Sequence, residues 1–384
     1  VPEETGRDIH SPLLARVQFW LLALTGVAAI VGYFFGYTEG REYIEAPRLL
    51  DWLIVAGALV FLYNVGMTVV RARKLTVALG VLLSGLVGLS LIYLFGMKFF
   101  GNMVLDQFFW WWVIHLWVEG TWEMVAMAIT ALLLIRLTGV DRRVVEKWLY
   151  VEVGLVLFTG ILGTGHHYYW IGTPRYWLAV GGVFSLLEIV PLILMVWDVY
   201  RHMRDAARRH PNRLALAWTV GSALMTFFGA GVLGAAQTLP QVNYWTHGTQ
   251  LTASHGHPAF FGAFGMLVLA VTYFAVPHLR GTEEYDQRRG FVALHTMVWS
   301  IVAMALVLFG AGVVQVYLQR VVGIEFAVVR DVYLRFWMTL RLATGVAFAA
   351  GAALFLVDFF GLFLSAEAGG RVARPAAGAA RAGD

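Results

Sequence analysis

Residues 108–120 read Phe-Phe-Trp-Trp-Trp-Val-Ile-His-Leu-Trp-Val-Glu-Gly, and this stretch indicates the architecture of the whole chain. It belongs to an apolar run long enough to cross a lipid bilayer as a helix, which takes about 20 residues. Inside that run lie an imidazole, His115, and a carboxylate, Glu119. Ionisable side chains at such depth cost several kcal/mol, roughly 2.5–3.5 for charged groups, and they usually mark function. The stretch therefore predicts a functional site within a membrane-spanning helix.

Similar apolar runs recur along the whole chain. Of its 384 residues, 59% are hydrophobic and 14% are charged, whereas a soluble domain carries about 25% charged residues. Because a membrane span must satisfy its own backbone hydrogen bonds, these runs predict helices and an all-α integral membrane fold. Ten spans are expected, at residues 13–36, 49–70, 75–97, 106–136, 148–170, 176–200, 213–236, 250–277, 291–318 and 332–364.

The charged residues predict an orientation. Most of the 28 lysines and arginines fall in every second loop, so the positive-inside rule places both ends of the chain in the cytoplasm. The net charge of +4 is spread over short loops and does not indicate a nucleic-acid surface. The chain has no cysteine, which excludes disulfides, thiolate metal sites and iron–sulfur clusters built from it.

The spans are expected to form a single transmembrane catalytic domain at residues 1–364. The Ala/Gly/Arg-rich residues 365–384 predict a disordered cytoplasmic tail. The chain opens with a polar loop at Val1 rather than with Met, and we expect it to be part of a longer protein.

Three histidines and two glutamates predict a metal site in the outer half of the membrane. His115 and Glu119 are four residues apart and share one helix face with Glu123, while His166 and His167 close the fifth span. Imidazoles with a carboxylate are the ligand set of a transition metal. His166 and His167 point about 100° apart on a helix, so both reach one metal only if the helix end is suitably oriented. The alternative is a set of hydrogen-bonded core residues.

A second pair of histidines predicts haem. His255 and His257 point about 200° apart on a helix, so each would hold a different metal, and His is the usual axial ligand of haem iron. The alternative is two polar core residues. Glu188, close to Pro191 in the sixth span, predicts either a proton carrier or a partner of a metal ligand, and a structural hydrogen bond is the alternative.

Four stretches carry a family resemblance. Residues 110–123 read Trp-Trp-Trp-Val-Ile-His-Leu-Trp-Val-Glu-Gly-Thr-Trp-Glu, and residues 163–174 read Gly-Thr-Gly-His-His-Tyr-Tyr-Trp-Ile-Gly-Thr-Pro. Residues 183–188 read Val-Phe-Ser-Leu-Leu-Glu, and residues 243–257 read Asn-Tyr-Trp-Thr-His-Gly-Thr-Gln-Leu-Thr-Ala-Ser-His-Gly-His. Together they resemble the catalytic, haem b-containing subunit of the respiratory nitric oxide reductases, cytochrome c-dependent branch, within the haem–copper oxidase superfamily. The resemblance extends to about residue 364.

The resemblance implies a role for each candidate residue. The non-haem iron ligands would be His115, His166, His167 and Glu119. His255 would be the axial ligand of a high-spin haem b, and His257 that of a low-spin haem b. Glu123 and Glu188 would shape the site and deliver protons, and Glu42 would bind a calcium ion.

The resemblance also implies the reaction and the partner. It predicts reduction of two nitric oxide molecules to nitrous oxide and water in denitrification, with electrons from a membrane-anchored cytochrome c subunit. The family has twelve helices, and the second carries the other ligand of the low-spin haem, so His257 is expected to lack that partner in this chain.

Two other functions are compatible with the residues. An oxygen reductase of the same fold would bind copper and carry a tyrosine where this chain has Glu119. A carboxylate adds a hard oxygen ligand, which favours iron. A transporter or haem sensor that uses intramembrane Glu and His for proton movement is the non-enzymatic alternative.

Overall fold

Helices account for most of the protein in this computed structural model. The structure describes residues 1–72, 74–187, 190–205, 211–281 and 285–365. Within those ranges, ten helical stretches are long and apolar enough to cross a membrane, which confirms the predicted all-α membrane architecture. The helices are α1 (Pro12–Phe34), α2 (Arg48–Val70), α3 (Val77–Gly96), α4 (Met103–Thr138), α5 (Arg142–Tyr168), α6 (Tyr176–Ser185), α7 (Val190–Asp205), α8 (Arg213–Thr238), α9 (Gln250–Arg280), α10 (Arg288–Val322) and α11 (Arg335–Leu362). The sixth of the ten stretches consists of α6 and α7.

Polar caps set where several helices begin. The side chains of Ser11 and Asn102 accept hydrogen bonds from the first turns of α1 and α4, which satisfies amide groups that a helix start leaves unpaired. Asp141 caps α5 in the same way by accepting from the amide of Arg143. As a result α5 begins at Arg142 rather than near residue 148, because the charged turn after the cap is already helical.

The chain forms two compact units. The first comprises Val1–Ala207 and Ala223–His247, and the second comprises Arg208–Ser222 and Gly248–Asp384. In the first unit α3 packs against α4, and α5 packs against α4, α6 and α7. In the second unit α10 packs against both α9 and α11. The single catalytic domain at 1–364 stays a prediction, and the tail at 365–384 lies almost entirely outside the described residues.

Small residues let α3 approach the middle of α4. A Cβ atom added to Gly88 would lie 2.7 Å from Thr121 Cγ2, and one added to Gly85 would lie 3.1 Å from the Thr121 carbonyl oxygen. A side chain at either glycine would therefore push the two helices apart. The indole of Trp117 adds a hydrogen bond of 3.2 Å to the Leu89 carbonyl. These contacts hold the part of α4 that carries Glu119.

Large apolar side chains cover the outside of the helices. Phe34 is 86% exposed, Leu279 is 80% exposed and Val70 is 78% exposed. Exposing this apolar surface to water costs free energy, whereas exposing it to lipid tails does not. The outer faces of the helices are therefore suited to a bilayer.

Candidate metal centre

The structure brings four predicted ligands of the first unit together. One ligand atom from each of His115, Glu119, His166 and His167 lies within 4.8 Å of the others. A Glu119 carboxylate oxygen lies 3.5 Å from His115 Nδ1, and the other lies 3.8 Å from the Nε2 atoms of both His166 and His167. The His115 side chain is fully buried, and the Glu119 side chain is 33% exposed. The cluster is therefore a compact set of three imidazoles and one carboxylate.

A local change of helix geometry positions Glu119. The turn Trp117–Trp122 in α4 is a π-helix, and Glu119 departs from helical geometry with φ −94° and ψ 17°. Such wide turns insert one extra residue into a helix and are frequent at functional sites. The residue spacing alone predicted a regular α-helix here. The structure shows instead that Glu119 faces all three imidazoles from a distorted turn.

A tight turn at the end of α5 brings the rings of His166 and His167 together. Residues Thr164–Tyr168 form a 3₁₀ helix, and the two imidazole rings lie with their centroids 4.1 Å apart. The backbone of Gly165 lies against Gly181 of α6, so closely that a Cβ atom on Gly181 would overlap the His166 amide. The sequence did not predict this turn. In a regular α-helix the two rings would point about 100° apart, whereas the 3₁₀ turn lets both rings face one ion.

Ser185 fixes the ring of His166. Its hydroxyl lies 2.8 Å from His166 Nδ1 and is 3.4 Å from the Gly163 carbonyl, to which it donates. The other nitrogen of that ring, Nε2, is the atom that faces Glu119. Metal-binding histidines commonly use one ring nitrogen for the ion and the other for such a partner. Ser185 belongs to one of the four resemblance stretches, but the sequence indicated no role for it.

The donor set fits an iron ion. Imidazole nitrogen binds at about 2.0–2.1 Å and carboxylate oxygen at about 2.0–2.2 Å in comparable metal sites, so donors on opposite sides of one ion lie about 4.2 Å apart. The four ligand atoms lie within 4.8 Å of one another, which is near this largest separation between donors of one ion. Nitrogen and oxygen donors with no sulfur suit iron in such a mixed site. The ligand roles of the four residues nevertheless stay predictions.

The remaining carboxylates of the prediction lie in different surroundings. Glu123 begins the regular helix that follows the π-turn in α4 and is partly buried. Glu42 is exposed in the loop between α1 and α2. Glu188 lies outside the described residues. The roles of all three in proton delivery, site shape and calcium binding stay predictions.

The loop that carries Glu42 is held by a buried arginine. Arg41 Nη2 lies 2.9 Å from Asp106 Oδ1, and its Nη1 donates to the carbonyls of Lys98 and Gly96 at 2.7 and 3.2 Å. Burial lowers the pKa of the Arg41 guanidinium, and the negative charge of Asp106 opposes that shift. These bonds tie the loop to the start of α4, the helix that carries His115.

The structure places both predicted haem ligands in one helix of the second unit. His255 and His257 lie in the first turns of α9 and are partly buried. His257 Nδ1 lies 2.7 Å from the Ala253 carbonyl. Because a carbonyl only accepts, this nitrogen must carry the proton, which leaves Nε2 as the basic nitrogen that an axial haem ligand requires. The ring fits haem, and the assignment of both residues stays a prediction.

Three buried carboxyl groups were not predicted from the sequence. Asp51, Glu152 and Asp358 are 0%, 4% and 5% exposed. Each lies in a candidate membrane-spanning helix, so an ionisable residue inside an apolar run was the available signal. Asp51 accepts from Tyr93 at 2.8 Å, and Asp358 accepts from Tyr273 at 3.0 Å.

Comparisons with known proteins agree with this architecture. Residues 1–347 match the model of the family described as cytochrome c and quinol oxidase polypeptide I. A nitric oxide reductase subunit of Stutzerimonas stutzeri is 44% identical over 94% of this chain and 80% of its own length. A cytochrome c oxidase subunit 1 homolog of Agrobacterium tumefaciens (strain T37) is 23% identical over 79% of this chain and 58% of its own length.

A solved structure supports the fold. A haem–copper terminal oxidase, determined as a dimer by cryo-electron microscopy, superposes with a TM-score of 0.74 at 16% identity, covering 94% of this chain and 72% of its own. The chain therefore belongs to the subunit I family of the haem–copper oxidases, which are multi-pass membrane oxidoreductases. Within that family it belongs with the nitric oxide reductases. Both steps confirm the predicted resemblance.

Proposed function

We propose that this protein reduces two nitric oxide molecules to nitrous oxide and water, at a centre built from a haem b and a non-haem iron. The reaction consumes two electrons and two protons for each nitrous oxide formed. The observation that carries the proposal is the compact cluster of His115, Glu119, His166 and His167. The 44% identity to a nitric oxide reductase from Stutzerimonas stutzeri supports the same substrate.

The cluster residues would hold the non-haem iron, and His255 would hold the high-spin haem. When bound, these groups would supply electrons and binding positions for nitric oxide. The protein supplies the arrangement around them. Ser185 orients the His166 ring at 2.8 Å, and the indole of Trp111 stacks on the His167 ring with centroids 5.0 Å apart. Rings held in this way keep their nitrogens in place without reorganisation during the reaction.

The carboxylates would handle the protons. Glu119 lies within 3.8 Å of the nitrogens of three imidazoles, where it would share in binding the iron. Glu123 follows one turn later on the same helix and is partly buried, which suits a group that gives up a proton to a buried site. We assign Glu188 the same task on sequence grounds.

Two further residues would serve electron supply and calcium binding. His257 would be an axial ligand of a low-spin haem b that passes electrons inward from a membrane-anchored cytochrome c subunit. Glu42, exposed in its loop, would contribute to a calcium site. The protein would lie in the bacterial inner membrane with both ends of this chain in the cytoplasm and the metal cluster in the periplasmic half. This arrangement would serve denitrification.

The metal content and the activity of the purified protein test the function. We expect the complete protein to contain iron and haem b without copper, and to consume nitric oxide when a one-electron donor is supplied. Copper together with oxygen consumption would identify an oxygen reductase instead. A protein with neither haem absorption nor nitric oxide consumption would support the transporter or sensor.

A further inference from the structure

The helix that carries both proposed haem ligands begins part of the way along its neighbour. α9 starts at Gln250, and the side chain of Gln315 in α10 accepts a hydrogen bond from the Gln250 amide at 2.9 Å. Gln315 lies seven residues before the end of α10 at Val322, which is about 10 Å along the helix axis. The start of α9 therefore lies about two turns below the point where α10 ends.

A buried helix start needs acceptors for its first amides. These amides have no partner within the helix, and a buried amide left unsatisfied costs about 1–3 kcal/mol. Gln315 is 2% exposed, and its oxygen satisfies the amide of Gln250. The hydroxyl of Thr249 accepts from the next amide, that of Leu251, at 3.3 Å. The bond from Gln315, unlike the local cap from Thr249, fixes the start of α9 relative to another helix.

Gly312 brings the two backbones together at the same level. A Cβ atom added to Gly312 would lie 2.5 Å from both the amide nitrogen and the Cγ atom of Leu251, and 3.1 Å from the carbonyl carbon of Gln250. A side chain at Gly312 would therefore push the start of α9 away from α10. The Gln315 side chain is itself held, since its Nε2 donates to Gln319 Oε1 at 3.2 Å. Close backbone packing and a directional hydrogen bond together set the position of the first turn of α9.

The position of that first turn determines where the two histidines lie. His255 and His257 follow Gln250 by five and seven residues, which is about 8 and 10 Å along the axis. Gln250–Phe260 is a continuous α-helix, so a displacement of its first turn is passed on to both residues. The His257 ring moves with the helix as well, because its Nδ1 lies 2.7 Å from the Ala253 carbonyl oxygen.

We propose that Gln315 is a positioning residue for the haem-binding histidines of α9. This inference rests on the proposed function, because it requires that α9 holds haem. Gln315 acts through the Gln250 amide, by fixing the height at which α9 starts against α10. A glutamine in a membrane-spanning helix is expensive to bury unless its polar atoms are bonded, and here both the oxygen and the nitrogen are. The alternative is that Gln315 stabilises the fold without any effect on the haem.

Three substitutions of Gln315 separate these roles. Gln315→Glu keeps the reach and the acceptor, Gln315→Asn keeps the amide but is one carbon shorter, and Gln315→Leu has no acceptor. The readouts are haem per protein and the iron–histidine stretching band in the resonance Raman spectrum of the reduced, complete holoenzyme. We expect Gln315→Glu to give the wild-type band, whereas the Asn and Leu variants should shift or broaden it. Their nitric oxide turnover should fall by up to about 100-fold, since misplacement by 1 Å can cost that much.

The matched control is Gln287→Leu. Gln287 is also a glutamine that accepts from the first turn of another helix, since its Oε1 accepts from the Leu214 amide at 2.7 Å near the start of α8. None of the proposed haem ligands lies on α8. We expect Gln287→Leu to lower the thermal midpoint while keeping the wild-type band and the wild-type haem content.

The outcomes distinguish this inference from the proposed function. A wild-type band in both Gln315→Asn and Gln315→Leu, or an equal change of the band in Gln287→Leu, would overturn the positioning role. If Gln315→Leu does not accumulate, Gln315→Asn and Gly312→Ala, which displaces the start of α9 by contact, replace it in the comparison. A wild type that contains haem but consumes no nitric oxide would refute the proposed function, and the band would still decide the role of Gln315. A wild type without haem would refute both.

Discussion

Replacement of Ser185 by alanine tests how the cluster is held. The Ser185 hydroxyl is buried, 4% exposed, and lies 2.8 Å from His166 Nδ1. Its loss frees the ring of one of the four proposed ligands to rotate while removing no ligand atom. Loss of such a partner typically weakens metal binding 10–100-fold, which corresponds to about 1.4–2.8 kcal/mol. We therefore expect Ser185→Ala to bind iron 10–100-fold more weakly.

The assay is a titration of the purified protein with an iron chelator, reading bound iron per protein. Ser300→Ala is the control, because Ser300 is also a buried hydroxyl, 7% exposed, but it lies on α10 in the second unit and donates to the Thr296 carbonyl at 2.6 Å. The control should retain iron like the wild type. Equal iron retention in Ser185→Ala and Ser300→Ala would refute the claim that Ser185 orients a metal ligand.

Three further outcomes are expected. Glu119→Ala should abolish turnover and lower iron occupancy, measured by metal analysis, and full activity with full iron would contradict the assignment. Asp106→Asn should destabilise the protein by about 3–5 kcal/mol, since it removes the negative charge that compensates the buried Arg41 guanidinium, and an unchanged thermal midpoint would contradict this. Burial raises the pKa of Tyr169 to about 12, while its hydroxyl donates to the Thr238 carbonyl at 2.8 Å. The neutral phenol therefore stabilises the fold below pH 10, and this contribution is lost as pH rises from 10 towards 12, because the unfolded chain ionises first. Thermal unfolding of Tyr169→Phe should show a shallower loss of stability over that interval, and an unchanged slope would count against the shifted pKa.

Hydropathy was sufficient to predict the membrane fold. Apolar runs leave a bilayer-spanning backbone no alternative to helix, and they predicted all ten candidate spans within a few residues in most cases. The start of α5 was predicted too late because hydropathy does not register a charged helical turn after the Asp141 cap. Sequence also identified the four cluster residues, since buried ionisable groups stand out in apolar runs.

How those residues meet depends on the packing of the helices. Helical periodicity places Glu119 one turn after His115, but it does not predict the π-turn that aims the carboxylate at all three imidazoles. The paired rings of His166 and His167 depend on a 3₁₀ turn whose backbone approaches Gly181. The sequence also does not predict that the Ser185 hydroxyl contacts the His166 ring. Contacts between residues distant in sequence follow from how helices pack, whereas hydropathy and spacing report only on one helix at a time.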